Sequence, residues 1–302
     1  MISLTRAKHT DRLMKATTSL TVAEFEALAR QLTPVWQAQQ AAQTAGGQPR
    51  QRRPGGGRKS ALATFEQKLF FILLYYKAYP TQDVMGVWFG LTQGQISDWV
   101  RRLTARVGQV LTLHKPARRG RNLKELLAAE PALQEVIMDG TERRLPRPTH
   151  AGRQRRFYSG RKKRHAVKNV IVTRKGKVLW CSDTVPARRH DKAVAAAARL
   201  RLPSQVTMLA DSGFAGLEAG AASVLTPWKK PRGRRLHWRR KKFNRLLAGE
   251  RIGVEHVLAS VKRLRILRDE FRNRRKGMVD EVMVIGCALH NYRWSCRQKA
   301  AA

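Results

Sequence analysis

The chain has 302 residues, of which 61 are Lys or Arg and 21 are Asp or Glu, so its formal net charge is +40 at pH 7. This excess is too large for an ordinary cytosolic enzyme and indicates a polyanionic partner, first of all nucleic acid, because neutralising phosphates releases condensed counterions. The hydrophobic fraction of 42% excludes a disordered basic tail. The length predicts two domains.

The N-terminal residues do not resemble a signal peptide, because Arg6 and Lys8 interrupt any apolar stretch, and no run of about 18 apolar residues follows. We therefore expect a cytoplasmic, nucleoid-associated protein of bacterial type with no membrane partner. Cys181, Cys287 and Cys296 are odd in number and lack CxxC spacing, which predicts free thiols instead of disulfides or a zinc ribbon.

Residues 1–45 are predicted to form an N-terminal helical segment. Thr21 is a suitable N-cap, Glu24 stands in capping-box position, and Pro34 is expected to break the helix. Residues 46–59 are rich in Gly, Pro and Arg and cannot form a packed element. They predict a flexible basic linker, whose contacts with DNA would be limited to phosphates.

Residues 60–115 predict a helix-turn-helix DNA-binding domain. One helix ends before Pro80, a short helix capped by Thr81 ends at Gly90, and another begins at Thr92 or Gln93. A short Gly-containing turn between helices is typical of this unit, although a helical hairpin that only packs has the same pattern. The net charge favours DNA binding. The side chains that the second helix would present to a groove are Gln93, Gln95, Ser97, Asp98, Arg101 and Arg102.

Residues 116–130 are expected to be a connector with a short helix, and residues 131–302 to be a catalytic domain with a C-terminal helix. Strand patterns cover residues 135–139, 156–158, 166–173, 178–182 and 206–210, with a helical segment from Asp191 between the last two. This order predicts an α/β domain in which helices flank a mixed sheet, as in the ribonuclease-H-like fold, next to an all-α N-terminal region.

Two aspartates each close a short apolar run, Asp139 in VIMDGTE and Asp211 in VTMLADSGFAG, and Glu255 lies in a later helical pattern. Strand ends hold side chains rigidly, and hard divalent cations such as Mg²⁺ prefer carboxylate oxygens, waters and phosphate. The three carboxylates therefore predict a metal site for phosphodiester chemistry.

Glu255 has a competitor, Glu250, five residues earlier. At about 100° per residue, Glu255 shares a helix face with Arg251 and Lys262, at the border of a sector that Val254 and its neighbours would bury. Glu250 falls about 140° away, where it is expected to cap or solvate the helix start. This projection favours Glu255 as the metal ligand.

Two basic segments are candidate DNA contacts. Residues 143–164, which include Arg161, Lys162 and Lys163, are expected to grip the backbone beside Asp139. Residues 229–242 lie between Asp211 and Glu255, with Trp228 and Trp238 near them. Each Trp either stacks on an unpaired or flipped base or packs under the loop.

Taken together, R-x3-E-x6-K at Arg251, Glu255 and Lys262, DGTE around Asp139, YSGRKKRHAVKN at 158–169 and ADSGFAG around Asp211 resemble the DDE transposases of the insertion sequence 5 family. The resemblance covers about residues 60–297. The fuller family signature has a Tyr three residues before the Arg, where this chain has Ala248.

The resemblance implies a metal-dependent DNA endonuclease and strand transferase that binds double-stranded DNA, both transposon ends and target, as a homodimer or higher assembly. Asp139, Asp211 and Glu255 would bind two Mg²⁺ or Mn²⁺ ions, and Arg251 and Lys262 would contact DNA or order the site. The family's His-Asp pair maps to His190 and Asp191, although Asp191 also fits a helix N-cap or first turn. A catalytically inactive DNA-binding regulator, and an endonuclease without strand transfer, are the alternatives.

Overall fold

The computed structural model describes residues 2–44, 48–52, 60–114, 134–198, 200, 202–203, 205–219 and 223–301. The chain divides into two compact units, one comprising Met1–Pro116, Lys262–Arg268 and Arg275–Ala302, the other Ala117–Val261 and Asp269–Arg274. Most of the predicted linker and all of the predicted connector lie outside the described residues. None of the helices that the structure describes has the length and apolar character needed to cross a membrane.

The helices are α1 Leu4–Lys8, α2 Asp11–Thr18, α3 Val22–Ala42, α4 Phe65–Ala78, α5 Gln82–Phe89, α6 Gln93–His114, α7 Ala151–Phe157, α8 Asp191–Ala197, α9 Trp238–Val261, α10 Arg265–Arg268 and α11 Met278–Ala301. The strands are β1 Glu135–Arg144, β2 Tyr158–Ser159, β3 Arg164–Arg174, β4 Lys177–Cys181, β5 Val185–Pro186, β6 Thr207–Ala210 and β7 Ser223–Leu225. The first unit is helical and the second contains the sheet.

In the first unit, α3 begins with the predicted capping box. Thr21 Oγ1 accepts from the Glu24 N–H at 3.0 Å, and Glu24 Oε2 accepts from the Thr21 N–H at 2.8 Å. The predicted break at Pro34 is wrong, because α3 continues through it to Ala42. Leu32 and Trp36 are buried on either side of the proline. Their packing offsets the hydrogen bond that a proline removes from a helix.

The helix-turn-helix elements begin and end where the sequence predicts. Helix α4 ends at Ala78 and is capped by Tyr79, which has a left-handed conformation (φ 48°), just before Pro80. Helix α5 ends at Phe89 and is capped by Gly90, where φ of 65° favours glycine, and α6 starts at Gln93. Ile96, Val100 and Leu103 of α6 are buried. These three side chains form one buried stripe along α6.

Tyr76→Phe should lower the free energy of unfolding by about 1 kcal/mol, because it removes a buried hydrogen bond while the phenyl ring still fills the space of the tyrosine ring. Tyr76 Oη donates to Thr104 Oγ1 at 2.9 Å, and both side chains are fully buried. Urea denaturation of the full chain measures the change. Tyr158→Phe is the matched control, since Tyr158 is 43% exposed. Equal stability of the two variants would contradict the prediction.

The C-terminal helix α11, which the sequence grouped with the catalytic domain, falls in the helical unit and packs against α6. Val282, Ile285 and Leu289 are fully buried. The two ends of the chain thus build one helical body. Cys181, Cys287 and Cys296 are free thiols, as predicted.

In the second unit, the described residues form a seven-stranded mixed sheet with the order β2-β3-β1-β6-β7, and β4 and β5 also pair with β3. Strand β1 is antiparallel to β3 and parallel to β6. Val136, Met138, Val170 and Met208 are buried in a core with Val194 of α8. Helix α9 packs against β1 and β6. Helices flanking a mixed sheet confirm the predicted α/β, ribonuclease-H-like class.

Three local predictions in this unit are wrong. Asp139 does not close a strand, because β1 continues to Arg144 through antiparallel pairing with β3. Residues 156–157 belong to α7, whose first turn His150 Nδ1 caps by accepting from the Gly152 N–H at 3.1 Å. Helix α9 starts at Trp238, so Glu250 lies in its middle and does not cap it.

Candidate active site

The sheet register places the two predicted aspartates side by side. Met138 of β1 pairs with Ala210 of the parallel strand β6, and this is the last pair between the two strands. The next residues along the chain are Asp139 and Asp211. Although β1 continues, Asp139 lies where its parallel neighbour ends. The carboxyl end of a parallel strand is a common position for functional side chains.

Both aspartates face α9. Successive side chains of a strand point to opposite faces, and Val136 and Met138 lie in the core with Val194 of α8. Ile137 therefore lies on the other face, where its Cδ1 would be 3.9 Å from a Cβ added at Gly253 of α9. Asp139 shares the face of Ile137, and Asp211, next in register, shares it with Asp139.

Backbone groups fix both carboxylates. Asp139 Oδ1 accepts from the Gly140 N–H at 2.8 Å. Asp211 is the N-cap of a 3₁₀ helix, Ser212–Phe214, and its Oδ1 accepts from the Ser212 N–H. Each aspartate is thus held by the turn or strand that follows it. Pre-organised oxygen donors of this kind suit a hard divalent cation.

The electrostatics of the site centre on Asp139. Burial raises its pKa, the Gly140 N–H and the Arg251 guanidinium lower it, and the carboxylates of Asp211 and Asp191 raise it further. Arg251 Nη2 lies 3.7 Å from Asp139 Oδ1. Repulsion between neighbouring carboxylates is relieved by a cation between them. The chemistry of the Asp139–Asp211 pair therefore fits a divalent metal ion.

Glu255 lies on α9, the helix that faces the two aspartates. It is exposed and, among the described residues, makes no hydrogen bond or ion pair. No group of three or more His, Cys, Asp or Glu in the described part of the chain is arranged to hold a metal ion. The structure thus brings together two of the three predicted carboxylates. The assignment of Glu255 stays a prediction.

Helix α9 runs along β1, so Glu250 and Glu255 lie beside different residues of this strand. Burial raises the pKa of Glu135, and the charge of Glu250 raises it further, so Glu250 lies near the start of β1. Glu135 precedes Asp139 by four residues, or about 13 Å of strand. Gly253 lies beside Ile137, closer to Asp139. Glu255 is two residues further along α9 than Gly253, in the direction of the aspartates.

Asp191 lies on the opposite face of β1, against two glycines. A Cβ added at Gly140 would be 3.1 Å from Asp191 Oδ1, and one at Gly213 would be 3.5 Å from Oδ2. Lys168 Nζ donates to Asp191 Oδ1 at 2.8 Å and lies 3.7 Å from Glu142 Oε1. Lys168 is therefore the cationic neighbour of both Asp191 and Glu142.

The sequence reasoning did not single out Lys168. A lysine in the strand pattern AVKNVIVT, whose other residues are mostly apolar, was a usable signal, since a buried lysine requires a carboxylate partner. Lys168 is 6% exposed. His190 is the backbone N-cap of α8, but its side chain makes no capping hydrogen bond. Asp191 occupies the first turn of α8, as one of the two interpretations expected.

The basic segment 143–164 divides into a buried and an exposed part. Arg143 is 1% exposed, and its Nη2 donates to Asn169 Oδ1 at 2.6 Å, so Arg143 supports the sheet and does not grip DNA. Arg161, Lys162 and Lys163 are exposed in the turn between β2 and β3. These three remain candidates for backbone contacts.

Both tryptophans of the second basic segment are accessible, so they do not pack under the loop. Trp228 is 50% exposed and Trp238 62% exposed. The guanidinium carbon of Arg240 lies 4.2 Å from the Trp228 ring centre, and that of Arg239 lies 5.4 Å from the Trp238 ring centre. Asn244 Nδ2 donates to the Trp228 carbonyl at 3.0 Å. An arginine side chain thus lies against each exposed ring.

The predicted recognition residues on α6 are accessible. Gln93, Gln95, Ser97, Arg101 and Arg102 are all exposed. Asp98 accepts from Arg101 Nη2 at 2.9 Å and from Arg102 Nη2 at 3.3 Å, and the hydrogen bond from Arg101 lowers the pKa of Asp98. Gln95 Oε1 accepts from the Thr92 N–H at 2.9 Å. The two arginines thus remain at the surface as a pair held by one carboxylate.

A ribonuclease-H-like sheet with two adjacent aspartates, joined to a helix-turn-helix, defines a nuclease of the DDE class. Residues 138–291 match the family model described as DDE superfamily endonuclease, and residues 60–111 match the helix-turn-helix of DDE superfamily endonuclease. The chain belongs to the DDE superfamily endonucleases. The narrower assignment to the insertion sequence 5 family stays a prediction.

A curated relative is the probable transposase for insertion sequence element IS702 from Microchaete diplosiphon. It is 27% identical to this chain over 228 residues, which cover 75% of this chain and 79% of the relative. No solved structure matches the chain.

Proposed function

We propose that this protein is the transposase of an insertion sequence, which binds the terminal inverted repeats, hydrolyses a phosphodiester bond at each end and joins the freed end to target DNA. The observation that carries the proposal is the register of Asp139 and Asp211 on neighbouring parallel strands, facing the helix of Arg251 and Glu255. The similarity to a probable transposase and the net charge support the same substrate.

Asp139, Asp211 and Glu255 are proposed to hold two ions, Mg²⁺ or Mn²⁺. Ions bound there would lower the pKa of a water and neutralise charge on the phosphate. DDE-type transposases generally use divalent metal ions. In this chain the backbone N–H groups of Gly140 and Ser212 orient the two aspartates before any ion binds. No nucleophilic side chain is required, because water and then the freed 3′-hydroxyl attack.

Arg251 is proposed to order the site and to contact the substrate. One side of its guanidinium lies beside Asp139, while Nε is buried and has no hydrogen-bond partner among the described residues. A phosphate oxygen would satisfy that donor. Lys262 follows α9, which ends at Val261, so the predicted shared helix face with Arg251 does not extend to it. Its contact with DNA remains a proposal.

On the opposite face of β1, Asp191 is proposed to act as a positioning residue. Its carboxylate lies against Gly140 and Gly213, one residue after Asp139 and two after Asp211. Lys168 holds it there. Asp191 therefore supports the two backbone segments that carry the metal ligands, with His190 beside it at the start of α8. Neither residue is assigned to the metal.

The helix-turn-helix supports DNA binding, and we propose that Gln93, Gln95, Ser97, Arg101 and Arg102 contact the terminal repeat. Arg161, Lys162 and Lys163 would grip the backbone, and Trp238, with its exposed ring, would stack on an unpaired base. We further propose assembly as a homodimer or higher oligomer, because two transposon ends must be brought together, and association with the nucleoid through DNA.

Arg102→Gln should weaken DNA binding and reduce the slope of log K against log salt by about 1, since one phosphate contact is lost. Arg102 is exposed on α6 and held by Asp98. Fluorescence anisotropy with a terminal-repeat duplex over a range of salt measures the slope. Arg6→Gln is the control, because Arg6 is exposed outside the helix-turn-helix and its substitution removes the same positive charge. Identical slopes for both variants would remove Arg102 from the interface.

The direct test incubates the purified protein with labelled DNA carrying the inverted repeats that flank the gene, with Mg²⁺ or Mn²⁺. Cleavage followed by a joined product supports a transposase. Cleavage without joining identifies an endonuclease that lacks strand transfer. Binding without cleavage identifies a DNA-binding regulator. The two latter results would each overturn the proposal.

A further inference from the structure

The helical unit contains a cavity whose lining is strongly cationic. Its volume is about 540 Å³, which is within the range of small-molecule sites. Helices α2, α3, α4 and α11 and the turn after α9 all contribute to it. The side chains that line it are Lys15, Ser19, Thr21, Glu24, Lys77, Arg263, Arg293 and Arg297. Five are cations and one is a carboxylate.

The single carboxylate does not balance these cations. Glu24 Oε2 accepts from the Thr21 N–H at 2.8 Å, so the capping box of α3 already uses it. The Ser19 hydroxyl is buried and, within the described residues, has no hydrogen-bond partner. The lining therefore offers five cations and a buried hydroxyl against a single carboxylate.

The cations are close enough to repel one another. Arg293 is 2% exposed, and burial together with the charges of Arg263 and Arg297 lowers its pKa to about 10, although the charge of Glu24 partly offsets this shift. Burial also lowers the pKa of Lys77, to which Arg293 and Arg263 contribute. Lys77 Nζ donates to the Arg263 carbonyl at 3.2 Å. An anion in the cavity would remove this repulsion.

We propose that this cavity is a binding site for phosphate groups. Arginine forks match phosphate oxygens, and lysines add point charge, so the lining is suited to a phosphodiester or a polyphosphate. The phosphates would come either from a DNA backbone or from a free polyphosphate. The cavity shares no residue with the helix-turn-helix side chains proposed to contact DNA or with the three carboxylates. Its test does not require DNA cleavage.

The test uses Lys15→Gln/Arg297→Gln in the full chain, because both side chains are exposed at the cavity and their removal does not affect the core. The matched control is Arg12→Gln/Lys299→Gln. Arg12 and Lys299 are exposed on the same two helices, α2 and α11, outside the lining. The control is necessary because a chain with a net charge of +40 attracts polyanions over its whole surface.

Isothermal titration with tripolyphosphate at fixed ionic strength should show binding about tenfold weaker in the cavity variant than in the control. If the phosphates belong to DNA, the salt dependence of duplex binding should fall more in the cavity variant, by a slope of about 1 to 2. Either difference supports the site and identifies the source. If the two variants bind both tripolyphosphate and DNA equally, the site does not exist.

Discussion

Asp139→Asn and Asp211→Asn should each reduce DNA cleavage by about 10³-fold or more. Losing one carboxylate ligand removes several kcal/mol of charge stabilisation at the phosphate, and about 4 kcal/mol corresponds to roughly 10³ in rate. Asparagine keeps the shape of each side chain and an oxygen that accepts from the following N–H. The measurement is single-turnover cleavage of terminal-repeat DNA in Mg²⁺, with duplex affinity determined in parallel.

The sign of the Asp139 pKa shift supplies the folding control. Because burial raises this pKa, the folded state disfavours the carboxylate, and the cost appears as pH rises above the unfolded pKa. Asp139→Asn removes that cost, so the variant should unfold in urea at pH 7 no more easily than the native chain. An Asp139→Asn variant that folds, binds DNA and still cleaves at the native rate would rule out the site.

The aspartates were predictable from sequence because each ends a short apolar run and is followed by a glycine within two residues. Their adjacency was not, since it depends on the parallel pairing of Met138 with Ala210, residues 72 positions apart. The length of β1 also could not be predicted from the sequence, because the second half of this strand is polar and pairs only with β3. Local pattern locates strands, while register is a tertiary property.

The helix boundaries show the same division. Capping residues predicted the starts of α3, α5 and α6, because a cap is a local hydrogen bond. The start of α9 was missed by about a dozen residues, since WRRKKFNR has few apolar positions to mark a helix. Lys168 was missed for a related reason. Its partner, Asp191, comes from a separate helix and only the fold brings them together.

The third carboxylate has the most specific test, because α9 carries its own control. Glu255→Gln should reduce cleavage by about 10²-fold or more, whereas Glu250→Gln should remain within about threefold of the native chain. The two variants have the same net charge. Both glutamates are exposed in the middle of α9, so neither substitution should affect folding much. Glu250 lies near Glu135, the first residue of β1, four residues before Asp139.

The metal readout separates a ligand from a residue that only contacts DNA. If Glu255 binds the ion, Glu255→Gln should raise the Mn²⁺ concentration needed for half-maximal cleavage and leave duplex affinity without metal unchanged. Glu250→Gln should change neither. A loss for Glu250→Gln alone would show that the helical projection chose the wrong glutamate, and equal loss in both variants would show that the projection does not distinguish the two. The next candidate for the third ligand would then be Asp191, which accepts a hydrogen bond from Lys168. Asp191→Asn would be examined in the same Mn²⁺ titration.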